Sequence, residues 1–260
     1  MVKPKAVVLR TAGTNCDRET AHALELAGFA AERVHVHRLM EDASALDEAR
    51  FLVIPGGFSY GDDVAAGKIL ANQLLYRLAD AMNRLLADGR LVLGICNGFQ
   101  VMLKCGLLPW GEVSPEKAHR DATLGWNDNG HFEDRWVCLR ADSDKCVFLP
   151  KGELIELPIA HGEGKFIPRD EPVLERLREA DLVALRYVNE DGRAEAGYPH
   201  NPNGSVDDVA ALCDPTGRAM GLMPHPERFI DPTNHPRWTR RRPGRCDGRL
   251  LFEGAFEHVK

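Results

Sequence analysis

Cys96 stands in a segment whose residue types suit a nucleophile. The apolar run Leu91–Ile95 predicts a buried parallel strand, and a helical pattern begins at Phe99. Gly94 and Gly98 flank the cysteine, and glycines at these places permit the cramped strand-to-helix turn of a nucleophile elbow. Backbone N–H groups at the start of the following helix would favour the thiolate. A buried structural cysteine is the alternative, but the strand, the glycine pair and the helix together favour a nucleophile.

A cysteine nucleophile needs a base, and His225 is the histidine best placed to supply one. Pro224 and Pro226 frame it. They exclude a regular helix and favour extended geometry, in which side chains two residues apart point to the same side. Glu227 would then orient the imidazole as the third member of a triad. A surface turn with an incidental charge pair is the alternative for this segment.

The donors of an oxyanion hole are predicted at two turns. The apolar strand Phe51–Ile54 runs into a Pro-Gly-Gly turn, which would leave the backbone N–H of Gly57 free for a substrate oxygen. Asn97 follows the nucleophile, so its N–H would be the second donor. Most Pro-Gly-Gly turns only reverse the chain, so this prediction depends on the neighbouring elbow.

The elements that must position these side chains follow an alternating pattern. Over the first hundred residues, short apolar runs and helix-period segments alternate at residues 6–9, 16–27, 33–37, 51–54, 69–87 and 91–95. This βαβ rhythm predicts an α/β fold, a doubly wound, mostly parallel sheet flanked by helices. After residue 111 the runs are shorter and strand-like, which predicts an antiparallel excursion, and a helix is predicted at 250–259. We expect a single domain over residues 1–260.

The amino-acid composition favours a globular protein and argues against several other classes. A hydrophobic share of 44%, a charged share of 28% and a net charge of -6 are typical of a globular chain and argue against a nucleic-acid partner. The seven cysteines form no C-x-x-C pair, so neither a disulfide framework nor a metal site is indicated. No run approaches the roughly 18 apolar residues of a membrane span. Reduced thiols and an N-terminus without an apolar leader run favour the cytoplasm.

Taken together, the motifs resemble the class I (triad) glutamine amidotransferases. The elbow and the His-Pro-Glu sequence carry the likeness to the superfamily, and other segments are similar to its purine-biosynthetic branch, the glutaminases of phosphoribosylformylglycinamidine synthase. The similar segments cover nearly the whole chain, at residues 13–17, 55–62, 94–100, 161–166, 201–205 and 223–228. The resemblance implies a flavodoxin-like amidotransferase fold.

The resemblance also implies a role for each matching residue. Cys96 would form a glutamyl thioester, His225 would relay a proton to the departing ammonia, and Glu227 would hold His225. The substrate-binding residues that the resemblance implies are Gln100, His161 and Glu163. A flexible turn at a partner surface is the alternative for the loop at 161–164.

The resemblance further implies a substrate and protein partners, and it argues against a cofactor or a membrane partner. Glutamine would be the substrate, and ammonia would pass to a large synthase subunit, joined by a small bridging subunit, that converts formylglycinamide ribonucleotide to formylglycinamidine ribonucleotide. ATP and magnesium would belong to that synthase, so no cofactor and no membrane partner is expected for this chain. Two rivals are another Cys-dependent hydrolase of this fold and a non-catalytic scaffold. Asn97 argues against the first, since such hydrolases usually carry histidine there, and the complete triad argues against the second.

Predictions can also be made for an arginine-rich loop and for two cysteines outside the elbow. The loop at 231–249 is rich in arginine and also contains Pro236 and Trp238, residue types that suit docking on the synthase, with a solvated loop as the alternative. Its arginines are Arg237, Arg240, Arg241, Arg242, Arg245 and Arg249. Cys16 ends the first βα turn near the crevice of the sheet, where we expect a supporting but not a nucleophilic role. Cys246 is expected to be exposed.

Overall fold

The computed structural model describes residues 2–116, 118, 121–195, 197–240 and 244–260. The strands are β1 (Lys5–Arg10), β2 (Ala30–His35), β3 (Phe51–Ile54), β4 (Leu91–Ile95), β5 (Ala122–Gly125), β6 (Glu133–Ala141), β7 (Leu154–His161), β8 (Lys165–Pro168), β9 (Val183–Val188), β10 (Val209–Cys213) and β11 (Ala219–Leu222). The helices are α1 (Asp17–Ala27), α2 (Val36–Glu41), α3 (Ser44–Asp47), α4 (Lys68–Arg77), α5 (Ala79–Ala87), α6 (Asn97–Lys104), α7 (Glu171–Glu179) and α8 (Asp247–Val259).

The main sheet has a parallel core and an antiparallel extension. Its strand order is β2-β1-β3-β4-β11-β10-β9-β6-β7. The strands from β2 to β11 are parallel, and the pairs from β11 to β7 are antiparallel. Strands β5 and β8 form a separate antiparallel pair. This architecture confirms the predicted α/β class with an antiparallel excursion.

Three adjacent parallel strands bring the predicted site residues to one edge. Strands β3 and β4 are buried along their whole length, as expected for apolar runs in the middle of a parallel sheet. Ile54 of β3 and Gly221 of β11 both pair with Gly94 of β4, so the three strands end at the same level. The turns that follow them therefore meet at the carboxyl edge of the sheet, the usual place for a site in this kind of fold.

Two predicted elements have different boundaries in the structure. The helix predicted at 69–87 is divided into α4 and α5 at Leu78, which leaves helical geometry with φ -128° while its side chain stays buried. The strand predicted at 33–37 ends at His35, whose imidazole accepts a hydrogen bond from the N–H of His37 and so caps α2. The cap at His35 explains why the strand ends before residue 37.

The second half contains a helix that the sequence analysis did not predict. Asp170 caps α7 by accepting a hydrogen bond from the N–H of Val173 at 3.0 Å, and Pro172 lies in its first turn. The C-terminal helix α8 begins at Asp247, three residues before the predicted start at 250. Cys246, expected to be exposed, is buried at the start of that helix. Within the described residues, no helix has the length and apolar character that crossing a membrane requires.

Candidate active site

Cys96 occupies a strained turn between β4 and α6. Its backbone has φ 51° and ψ -106°, a conformation that costs a non-glycine residue about 1 to 3 kcal/mol. The N–H of Cys96 donates to the carbonyl of Leu222 at 2.7 Å and holds the turn against β11. A Cβ at Gly98 would lie 1.9 Å from the carbonyl oxygen of Ile54, so only glycine fits there. This is the elbow geometry that the flanking glycines predict.

His225 and Glu227 form a buried pair beside that elbow. The Nδ1 atom of His225 lies 2.7 Å from Oε1 of Glu227, and both side chains are at most 2% exposed. Residues Pro226–Arg228 form a 3₁₀ turn rather than the predicted extended segment, yet the turn still brings the carboxylate to the imidazole. Among the residues that the structure describes, Nε2 of His225 has no hydrogen-bond partner. It is thus free to exchange a proton with a reacting group.

The electrostatic surroundings favour a protonated His225. Burial alone would lower its pKa, but the charge of Glu227, followed by that of Cys96, outweighs burial and raises the pKa of His225 well above its usual value. The end of β3 packs against the same ring, since a Cβ at Gly56 would lie 2.8 Å from Cε1 of His225. The ring is therefore fixed in place, and it can carry the proton that a leaving group needs.

The two predicted oxyanion donors lie on two segments that hydrogen bonds of the Asn97 side chain connect. Its Oδ1 accepts from the hydroxyl of Ser59 at 2.6 Å, and its Nδ2 donates to Asp62 at 3.1 Å. Gly57 precedes these residues with φ 139°, and a Cβ there would lie 2.8 Å from the backbone of Asn15. The Asn97 side chain thus fixes the glycine turn relative to the elbow. That both N–H groups stabilise an oxyanion stays a prediction.

Gln100 connects the elbow helix to the loop after β7. Its Oε1 accepts from Nδ2 of Asn97 at 2.9 Å, and its Nε2 donates to the carbonyl of Glu163 at 2.7 Å. The side chain of Glu163 is partly buried, and burial raises its pKa, while the charge of Lys104 acts in the opposite direction. The structure therefore places Gln100 and Glu163 together next to Cys96, while their contact with a substrate stays a prediction.

Cys16 lies beside the pair of His225 and Glu227. Its Sγ accepts from Arg228 at 3.2 Å, and Arg228 also donates to Glu19 at 3.1 Å. Burial raises the pKa of Cys16, and the neighbouring His225 acts against that rise. Ligand atoms of Cys16, His225 and Glu227 lie within 4.8 Å of one another, but the neighbouring guanidinium disfavours a metal cation there. Cys16 is thus close to His225, while its supporting role stays a prediction.

A buried polar cluster lies near Cys96, and His161 is its one member that the sequence analysis named. Asn127, His161, Tyr187 and Asn203 are all at most 3% exposed. Nδ2 of Asn203 donates to the carbonyl of Gly164 at 2.9 Å and to the hydroxyl of Tyr187 at 3.2 Å. The similar segments at 161–166 and 201–205 were the available signal, since both contribute to this cluster. Burial, and to a lesser degree the charge of Cys96, raises the pKa of Tyr187.

Known proteins are similar in sequence to this chain over nearly its full length. The chain matches the family model of the CobB/CobQ-like glutamine amidotransferase domain over residues 3–259. It is 44% identical over 239 residues to the phosphoribosylformylglycinamidine synthase subunit PurQ of Dehalococcoides mccartyi, covering 92% of this chain and 90% of that one. It is 38% identical over 268 residues to the corresponding subunit of Archaeoglobus fulgidus, covering 98% and 97% of the two chains.

A solved structure agrees with these sequence matches. One chain in the structure of PurLQS from Thermotoga maritima superposes with a TM-score of 0.74 at 32% identity, and both chains are covered completely. Sequence and fold therefore agree. The chain belongs to the CobB/CobQ-like glutamine amidotransferases and, within them, to the PurQ family of glutaminase subunits of phosphoribosylformylglycinamidine synthase.

Proposed function

We propose that Cys96, His225 and Glu227 hydrolyse glutamine to glutamate and ammonia in this chain. The observation that carries the assignment is the buried 2.7 Å pair of His225 and Glu227 beside a strained cysteine elbow. A surface turn with an incidental ion pair would be solvated, whereas both of these side chains are buried. The pair and the elbow together supply a nucleophile, a base and a group that orients the base.

The reaction follows from these positions. Sγ of Cys96 attacks the carboxamide carbon of glutamine, and the backbone N–H groups of Gly57 and Asn97 stabilise the resulting oxyanion. The C–N bond breaks as Nε2 of His225 gives its proton to the nitrogen, which leaves as ammonia. The glutamyl thioester that remains is hydrolysed when His225 takes a proton from water. Glu227 holds the ring and stabilises its positive charge throughout.

The substrate-binding role of the loop after β7 belongs to the same proposal. Gln100 lies one helical turn after Cys96 and donates a hydrogen bond to the carbonyl of Glu163, which supports contact of both residues with glutamine bound at Cys96. His161 precedes this loop and is buried. The continuous main sheet supports a single amidotransferase domain that carries the whole site.

The thioester can be tested by rapid acid quenching after the protein is mixed with glutamine. Mass spectrometry is expected to find a glutamyl adduct on the peptide that contains Cys96, because the mechanism stores the acyl group there. Cys96→Ala, treated in the same way, should carry no adduct. Glutamate accumulation in the wild type with the adduct on another residue would contradict the assignment.

The names of the relatives point to a synthase partner. The D. mccartyi and A. fulgidus proteins are named as subunits of phosphoribosylformylglycinamidine synthase, and the T. maritima structure is of PurLQS. We infer that this chain delivers ammonia to a large synthase subunit, with a small bridging subunit, for conversion of formylglycinamide ribonucleotide to formylglycinamidine ribonucleotide in the cytoplasm. ATP and magnesium are then needed by the synthase and not by the site around Cys96.

Part of the segment 231–249 is exposed, and this exposure supports the docking role predicted for it. Arg245 and Arg249 form ion pairs within the chain, with Glu153 and Glu253, and are therefore occupied. Arg237 is exposed, and Trp238 is 45% exposed. Arg241 and Arg242 lie outside the described residues. A docking surface on this segment would therefore centre on the side chains at 237–240.

Replacing both Arg237 and Trp238 by alanine is expected to weaken binding to the synthase subunits by roughly tenfold or more, because arginine and tryptophan dominate many interfaces. The measurement is the dissociation constant of the assembled complex. Tyr76→Ala, which removes another exposed aromatic ring, is the matched control and should leave affinity unchanged. Equal affinity of the double variant and the wild type would end the docking role.

A further inference from the structure

Two buried histidines near the nucleophile are held in the same way, but their pKa values are shifted in opposite directions. Each ring is held through Nδ1, His225 by the carboxylate of Glu227 at 2.7 Å and His161 by the amide oxygen of Asn127 at 3.1 Å. Burial lowers the pKa of His161 to about 3, and the charge of His225 adds to this, while the pKa of His225 is raised. Near neutral pH, one ring can give a proton and the other cannot.

The hydrogen bonds of Asn127 fix which nitrogen of His161 carries its proton. Nδ2 of Asn127 donates to the carbonyls of His131 at 2.9 Å and His161 at 2.8 Å, so its Oδ1 must face the ring. That oxygen also accepts from the N–H of Gly164 at 3.2 Å. Nδ1 of His161 is therefore the donor, and Nε2 has only a lone pair to offer.

Nε2 of His161 is buried and has no hydrogen-bond partner among the described residues. A buried acceptor without a partner is costly, and in a native structure it calls for a ligand that donates. Gly164 closes this site on one side, since a Cβ there would lie 2.2 Å from Cε1 of His161. The ring therefore provides a confined acceptor rather than a solvated one.

The chain around His161 runs from the reaction centre to an exposed aromatic patch. The carbonyl of Ala160, the residue before His161, is 3.9 Å from Sγ of Cys96. On the other side, Gly162 packs under the rings of Trp126 and Phe132, which are 70% and 55% exposed. Large exposed aromatic side chains mark surfaces that bind other proteins. A small molecule that leaves Cys96 past His161 would thus emerge where a partner can cover it.

We propose that Nε2 of His161 accepts a hydrogen bond from the ammonia released at Cys96 and is the first residue on its route toward the patch of Trp126 and Phe132. Ammonia is the one small donor that the reaction produces, and it must keep its lone pair to act as a nucleophile elsewhere. A histidine without a proton to give binds ammonia and leaves it uncharged. This inference depends on the proposed glutaminase function, and it gives His161 a role different from the glutamine binding that the resemblance implies.

The test uses His161→Phe in the assembled synthase complex, where the ring is kept and the acceptor is lost. The measured quantity is formylglycinamidine ribonucleotide formed per glutamate released. We expect this ratio to fall by roughly 3- to 10-fold, the range for one lost hydrogen bond, with free ammonia appearing in solution. Because the ratio is taken per glutamate released, it reports the capture of ammonia separately from any change in the rate of glutamate release or in the KM for glutamine. His161→Gln, whose amide oxygen can accept, should recover part of the ratio.

Other outcomes would overturn the proposal. A raised KM for glutamine with an unchanged ratio would mean that His161 binds the substrate, and an unchanged KM and ratio would mean that the residue is only structural. If His161→Phe does not fold, the ratio in His161→Asn, whose shorter side chain withdraws the acceptor, decides the question. His131→Gln, an exposed histidine on the neighbouring loop, is the matched control. Failure of the glutaminase itself would appear separately, as wild-type protein that releases no glutamate.

Discussion

Cys96→Ala is expected to lower glutamate release from glutamine by roughly 10⁴- to 10⁶-fold, the scale seen when a nucleophile is removed from a catalytic triad. The variant keeps the substrate loop but cannot form the thioester. The fold should persist, because alanine is cysteine without its sulfur and introduces no clash at this buried position. The measurement is the initial rate of glutamate release by purified protein in the presence of the synthase subunits.

Cys105→Ala is the matched control for this prediction. Cys105 follows the same helix α6 and is also buried, but burial raises the pKa of its thiol to about 12, so it stays protonated and unreactive. Its replacement should cost some packing energy and leave the rate within about threefold of wild type. Equal losses in the two variants would show that a damaged core, and not a lost nucleophile, explains the effect of Cys96→Ala.

Glu227→Gln is expected to lower kcat by roughly 10² to 10⁴-fold with little change in KM, since the carboxylate acts on His225 and not on the substrate. The glutamine can still hold the ring by a hydrogen bond, but it carries no charge. Burial then dominates, and the pKa of His225 falls relative to wild type. At neutral pH the imidazole is less often protonated, and the leaving nitrogen is deprived of its proton.

The loss of activity in Glu227→Gln should depend on pH. Lowering the pH restores the proton on His225 in the variant, so the activity of Glu227→Gln relative to wild type should rise as the pH falls. Glu253→Gln, which removes an exposed carboxylate paired with Arg249, should leave the pH profile unchanged. A variant whose profile coincides with that of wild type at all pH values would contradict the role assigned to Glu227.

Local patterns explain how much of the site could be predicted from the sequence. The elbow around Cys96 depends on glycines two residues away on each side, and the pair of His225 and Glu227 is also two residues apart. Such short-range geometry is set by sterics and is visible in the chain itself. The extended conformation predicted for His225 to Glu227 was wrong in detail, because a 3₁₀ turn forms there, but the same two side chains meet.

Contacts between distant segments could not be predicted in this way. Cys16 and Arg228 are 212 residues apart in sequence, and His161 and Asn127 are 34 apart. No periodicity or spacing relates such residues, because their contact depends on the order of strands in the sheet. The antiparallel half, in which β9 lies between β10 and β6, likewise follows from tertiary packing. The division of the predicted helix at Leu78, a buried residue, is likewise not visible in the periodicity of the sequence.

The most direct test of the central claim compares two nitrogen sources in the assembled complex. Product formation is measured with glutamine and then with ammonium for the wild type and for Cys96→Ala. A coupled glutaminase predicts that the variant loses glutamine-dependent product formation and keeps ammonium-dependent product formation, because only the ammonia source in this chain is damaged. Glutamine-dependent product formation by Cys96→Ala at the wild-type rate would contradict the account.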